Sequence, residues 1–112
     1  MELQIKTKGE ICILSVQEPR IDAAVALEFK EAVRQGTEDA PEEVILDLTQ
    51  VTFIDSSGLG AIVATMKHLA PSRQLLLAGL SPAVEKVFQL TRMDSVFRIF
   101  LTLEEALSAK CE

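Results

Sequence analysis

The sequence contains one histidine, two cysteines and no stretch of about 20 apolar residues, and its 11 lysines and arginines are outnumbered by 17 aspartates and glutamates. Each shortage excludes something. Without a long apolar run no segment can cross a bilayer as a helix, so direct membrane insertion is not expected. The opening MELQIKTKGE has no apolar core of a secretory leader, and a cytoplasmic location is the default expectation. A net charge of -6 without clustered Lys and Arg does not suit a nucleic-acid backbone or an anionic lipid surface. The expected partner is therefore protein. Cys12 lies in an apolar run and Cys111 one residue from the end; their spacing makes neither a disulfide framework nor a metal motif, so both are expected as free thiols.

The single histidine also bears on catalysis. His68 falls near the end of a helix that starts at about residue 56, where an imidazole suits the helix C-terminus. At 1.5 Å per residue it stands roughly 18 Å from Ser56, too far to serve that serine as a base. Ile54, not glycine, stands two residues before Ser56, so the nucleophile-elbow pattern is missing. There is no GxxxxGKS loop and no HExxH, and the GLG at 58–60 is too short for a dinucleotide fingerprint. Neither an enzymatic activity nor a metal or cofactor is expected.

What is present reads as one α/β domain over residues 1–112, with 48% hydrophobic and 25% charged residues. Leu3, Ile5, Ile11, Ile13 and Val16 bracket Lys8-Gly9-Glu10, which predicts an N-terminal hairpin edge. Asp22 is expected to cap a helix running to about Gln35, with Val25, Phe29, Ala32 and Val33 inward and Gly36 as its stop. A polar loop, Glu38–Glu43, precedes the strand Val44–Leu48. Leu75–Ala78 predicts another buried strand, and Ser81-Pro82 opens a third helix with Val84, Val87, Phe88 and Thr91 inward. Val96–Leu101 predicts the last strand, and Thr102 with Glu105 a capping box for a final helix. The alternation implies a mixed, mostly parallel sheet of about five strands with about four helices. Its turns Arg20–Asp22, Asp55–Gly58 and Gly79–Pro82 are expected at one edge, the side where partners approach such sheets.

Within this pattern the joint FIDSSGLG carries the most chemistry. The apolar run Val44–Leu48 leads into Asp55-Ser56-Ser57-Gly58, and from Leu59 the spacing turns helical, with Leu59, Ile62, Val63, Met66 and Ala70 on one face. Asp55 or Ser56 stands where an N-cap is wanted. Gly58 and Gly60 cost helix stability, about 1 kcal/mol each against alanine, so bare backbone serves something there. Close helix-to-strand packing and close approach of another molecule are both open. A structural cap and a recognition turn fit these residues equally.

The segment FIDSSGLGAIVA resembles the signature of STAS domains, in particular the bacterial anti-sigma factor antagonists. VILDLTQV before it, LLLAGLSPAVEKVFQLTRMDSVFRIF after it and the closing TLEEAL resemble the corresponding family segments in the same order. Arg92 stands where many relatives place glycine, and Glu18–Ile21 is a short, weakly matched region. The resemblance implies that Ser56 is phosphorylated by an anti-sigma factor serine kinase and restored by a serine phosphatase. It also implies that Asp22, Asp55, Ser57, Gly58, Leu59 and Ser81 meet the partner. The implied function is a binding switch that sequesters the kinase when Ser56 is unmodified; a non-switching STAS subunit of a stress-signalling or lipid-transport assembly is the alternative.

Overall fold

In the computed structural model, which describes residues 1–110, the chain runs β1 (Leu3–Lys8), β2 (Ile11–Val16), β3 (Arg20–Ile21), α1 (Ala26–Gly36), β4 (Glu43–Asp47), β5 (Phe53–Ile54) and α2 (Ser56–Leu69). It continues through β6 (Gln74–Ala78), α3 (Pro82–Leu90), a 3-10 turn at Met93–Ser95, β7 (Arg98–Phe100) and α4 (Leu103–Lys110). Cys111, expected as a free thiol, lies outside the described residues. The main sheet has the order β1-β2-β4-β6-β7. Only β1 is antiparallel, joined to β2 by the two-residue turn Gly9-Glu10, with Gly9 at a φ of 60° that favours glycine. The other three pairings are parallel.

An apolar side chain at every position of Val44–Leu46 requires cover on both faces of the sheet. Both faces are covered. Cys12, Leu14, Val44, Leu46, Leu75 and Leu77 point into the larger core with buried residues of α1, α2 and α3, while Ile11, Ile13, Ile45, Leu76 and Ala78 meet Ala106 of α4. The period-two alternation along β2, β4 and β6 thus divides one sheet between two cores.

Several boundaries differ from the sequence expectation, each for a local reason. Asp22 does not cap α1. Its Oδ1 accepts from Ala24 N at 3.1 Å and its carbonyl from Val25 N at 3.1 Å, closing a turn, and α1 begins behind Val25 without a side-chain cap. Gly36 is the last helical residue, with Thr37 as C-cap, and it lies against the end of the exposed Ile5 side chain. The buried stripe of α2 is Gly58, Ala61, Ile62, Thr65 and Leu69, each one position earlier than expected, with Ile62 common to both faces. Leu59, Val63 and Met66 flank that stripe, and Ala70 is exposed. Thr91 is exposed and donates to the Val87 carbonyl at 2.7 Å instead of facing the core. Strand β7 is shorter than Val96–Leu101, because Phe97 packs edge-on against Phe88, ring centroids 5.9 Å apart, and Val96 closes the 3-10 turn. Arg92 adopts the left-handed conformation, φ 62° and ψ 19°, that glycine would enter more readily. At α4, Thr102 Oγ1 accepts from Glu105 N at 3.1 Å, the threonine half of the expected box.

Candidate functional site

The joint before α2 rests on a second, two-stranded sheet that the sequence reading did not anticipate. β3 and β5 pair in parallel, Arg20 opposite Phe53 and Ile21 opposite Ile54. The Pro19 carbonyl accepts from Thr52 N at 2.8 Å and Phe53 N at 3.2 Å, and Ile21 O accepts from Asp55 N at 3.4 Å. Ile21 and Ile54 are buried, whereas Arg20 and Phe53 face outward. Four residues alternate in this way, too few for a periodic signal in the sequence.

Asp55 organises the turn. It is the N-cap of α2, extended at φ -107° and ψ -174°; its Oδ1 accepts from Gly58 N at 2.9 Å and its Oδ2 from Ala23 N at 3.2 Å. One carboxylate thus ties the helix start to the β3–α1 turn, and the capping role falls to the aspartate instead of a serine. Ser56 and Ser57 occupy the first two helical positions and are exposed. Gly58 is buried: a Cβ there would collide with the Ile21 carbonyl oxygen and stand 2.7 Å from its carbon and 2.9 Å from Ile54 Cγ1. A Cβ on Gly60 would meet nothing within 4 Å. The two glycines therefore part company, the first required by helix-to-strand packing and the second facing open space.

Of the other expected site residues, Asp22 sits beside this joint in the turn that Asp55 grips, and Leu59 is half-buried against the larger core. Ser81 caps α3, its Oγ accepting from Val84 N at 3.4 Å, with Pro82 as first helical residue. The turns Arg20–Asp22 and Asp55–Gly58 are thus hydrogen-bonded together. The Gly79–Pro82 turn leaves the carboxyl end of β6, where Gly79 N donates to Phe100 O at 3.2 Å, and α3 packs beside β5. The Arg20 guanidinium, singled out by no sequence signal, lies 5.2 Å from the centroid of the Phe53 ring and 3.9 Å from Asp22 Oδ2. A cavity of about 410 Å³ opens at the carboxyl ends of the main sheet's strands, lined by Gln17, Asp47, Thr49, Gly79, Thr102 and Glu104 among others. His68 is exposed in the last turn of α2, as expected. Among the described residues no group of three His, Cys, Asp or Glu is placed to hold a metal ion, and no helix is long and apolar enough to cross a membrane.

A minimal parallel ribbon feeding an Asp-Ser-Ser-Gly helix start, set on a mixed five-stranded sheet, defines a domain class, and comparison identifies it. The STAS domain family model matches residues 2–106, and the chain belongs to that family. It is 29% identical over 98 residues to the anti-sigma-F factor antagonist RsfB of Mycobacterium tuberculosis, covering 88% of this chain and 80% of that one. It is 35% identical over 82 residues to the anti-sigma-B factor antagonist of Listeria monocytogenes, covering 70% of each. The crystal structure of an anti-sigma factor antagonist from Mycobacterium paratuberculosis superposes with a TM-score of 0.88 at 26% identity, over 99% of this chain and 94% of that one. These relatives are named as regulators, not as enzymes.

Proposed function

We propose that this protein is an anti-sigma factor antagonist, a single STAS domain that sequesters an anti-sigma factor serine kinase while Ser56 is unmodified and releases it when Ser56 is phosphorylated. A serine phosphatase resets it. The partner face is the Asp55–Gly58 turn with Asp22, Leu59 and Ser81, Gly58 serving to hold the turn against β3. The observation that carries this reading is the division of labour at the joint. Asp55 does the capping, so the exposed Ser56 hydroxyl is free of a folding role.

The physics of a switch follows from that. A phosphoryl group would add about -1.5 to -2 charges at neutral pH. The first N–H groups and the positive dipole end of the 14-residue α2 favour an anion, while the adjacent Asp55 carboxylate opposes it. The fold can therefore carry both states. Against a partner surface fitted to a neutral serine the same charge is partly stripped of water, which costs a few kcal/mol. At about 1.4 kcal/mol per tenfold, that turns a tight complex into a negligible one. Incubation with lysate of the source cells and ATP, followed by phosphopeptide mapping of wild type, Ser56→Ala and Ser57→Ala, tests the acceptor. Phosphate should vanish in Ser56→Ala and persist in Ser57→Ala; undiminished phosphorylation of Ser56→Ala sinks the assignment.

A further inference from the structure

From the Arg20–Phe53 pair we infer a latch: on phosphorylation of Ser56, the Arg20 guanidinium leaves the Phe53 ring and pairs with the phosphate, uncovering the ring on the partner face. This rests on Ser56 as the modified residue. Three observations carry it. First, Arg20 is the only lysine, arginine or histidine among residues 9–29 and 35–66, the segments that build and flank the joint. Second, its present attachments are weak ones. The guanidinium rests 5.2 Å from the Phe53 ring centroid and 3.9 Å from Asp22, its side chain is 66% exposed, and Phe53 is 44% exposed.

Third, the register puts Ser56 within reach. Arg20 stands opposite Phe53 across the ribbon, and Ser56 is three residues further on, through an extended Asp55. Three extended residues span about 10 Å and paired strands lie about 4.8 Å apart at right angles to that span, so the Cα atoms of Arg20 and Ser56 are about 11 Å apart. A long arginine side chain and a phosphoserine cover that gap between them. A guanidinium moreover matches a phosphate better than it matches an aromatic face, because two N–H groups meet two oxygens.

The charged groups around the joint are few. Glu18, Asp22 and Asp55 lie on the strand ends and turns, Glu28 is on α1, and Glu85 and Lys86 are on α3, which packs beside β5. The carboxylates repel a phosphate, and the N-terminal ammonium is already paired with Glu28 at 3.6 Å, so Lys86 is the side chain on these elements to test against Arg20. Phosphorylation then alters the partner face twice over: it adds an anion, and it removes a cation from its aromatic rest. A partner fitted to a guanidinium over Phe53 loses that contact along with gaining a charge.

The test uses the full chain with phosphoserine placed at residue 56 during translation, by expanded genetic code, so the latch is read whether or not a cellular kinase modifies this serine. In unmodified protein the Arg20 side-chain protons should show the upfield ring-current shift of a group lying over Phe53, and in the phosphoserine form that shift should be lost. In 31P titrations at low salt, the phosphate's second pKa should lie about half a unit lower in wild type than in Arg20→Gln, the gap closing near 1 M salt. Lys86→Gln should titrate like wild type. The latch is overturned if the Arg20 resonances stay put on phosphorylation, if Arg20→Gln leaves the titration unchanged, or if Lys86→Gln is the variant that shifts it.

Discussion

Strand β4 and strand β5 lie six residues apart in the chain, Asp47 to Phe53, and are held in opposite ways. β4 pairs on both sides, and Val44, Ile45 and Leu46 are each 0% exposed between two layers. β5 pairs only with the two residues of β3 and leaves Phe53 in solvent. Packing on both faces fixes the first; the second is packed on one face only, through Ile21 and Ile54, and is otherwise held by a few separable hydrogen bonds, donated by Thr52 N and Phe53 N and accepted by the Asp55 carboxylate. A surface whose chemistry must change is better placed on the second kind of support, since a charge added there disturbs no packed layer.

The comparison breaks most visibly in the core. Leu46→Ala should lower the unfolding free energy by about 3 kcal/mol, because the methyls it removes face buried neighbours on every side. Gly58→Ala should cost about 2 kcal/mol for a different reason: the added methyl strikes the Ile21 backbone, which cannot turn aside as a side chain can. Its neighbour gives the contrast, since Gly60→Ala meets open space and should stabilise by up to about 1 kcal/mol. Urea unfolding of the three variants measures all of this. A Gly58→Ala protein as stable as wild type would show that β3 yields, and the ribbon would then be looser than described.

Asp55→Ala should cost about 1–2 kcal/mol globally, the range of a lost N-cap. The local effect is more telling. Amide hydrogen exchange at Ala23 and Gly58, the two N–H groups that its carboxylate accepts, should quicken while the β4 amides keep the protection set by global stability. If the β4 amides quicken as much as these two beyond the global change, β5 and β4 open as one unit and the two-region picture fails.

Ser56→Asp should separate the regions further. Aspartate suits the first turn of a helix, so thermal stability should stay within about 1 kcal/mol of wild type. Affinity for the anti-sigma kinase should fall by about 1–3 kcal/mol, less than phosphate causes, because aspartate brings one charge and two oxygens. Ser56→Ala should bind like unmodified protein and resist release. Calorimetry on the kinase, paired with melts, reads both quantities; undiminished binding by Ser56→Asp would favour a non-switching subunit.

How much of this was legible in the sequence follows the same division. The main sheet, its hairpin edge and the helix order were readable because runs such as Val44–Leu46 and Leu75–Ala78 are long enough for pattern to decide. A cap at Asp55 or Ser56 was readable because capping is local chemistry, though only the structure gives it to Asp55, and the Ser81-Pro82 helix start was readable for the same reason. The face of α2 was read one position late, since Leu59, Val63 and Met66 are apolar and half-buried alongside the true stripe. The start of α1 was missed because an Asp that closes its own turn looks in sequence like an Asp that caps a helix. The β3–β5 ribbon was invisible: two residues carry no period, and their pairing joins segments more than thirty positions apart. The role of Gly58 was undecidable until that ribbon placed the Ile21 carbonyl against it.

The smallest expected effect returns to the core side. Cys12 on β2 is 1% exposed in the larger core, and burial raises its thiol above the ordinary 9.0, the nearby charge of Arg73 offsetting this only in part. The unfolded chain then loses the thiol proton at lower pH than the folded one. Stability from this group is therefore fully present below about pH 9 and falls as pH rises through the folded value, by up to about 1.4 kcal/mol per unit of pH in that window. Urea unfolding at pH 7, 9 and 10, with Cys111→Ser in both proteins to remove the second thiol, should show a steeper alkaline loss with Cys12 than with Cys12→Ala. Parallel declines would mean that the folded protein lets the thiolate form at its ordinary pH, and the β2 side of the core would then be less closed to water than the burial of Cys12, Leu14 and Val44 indicates.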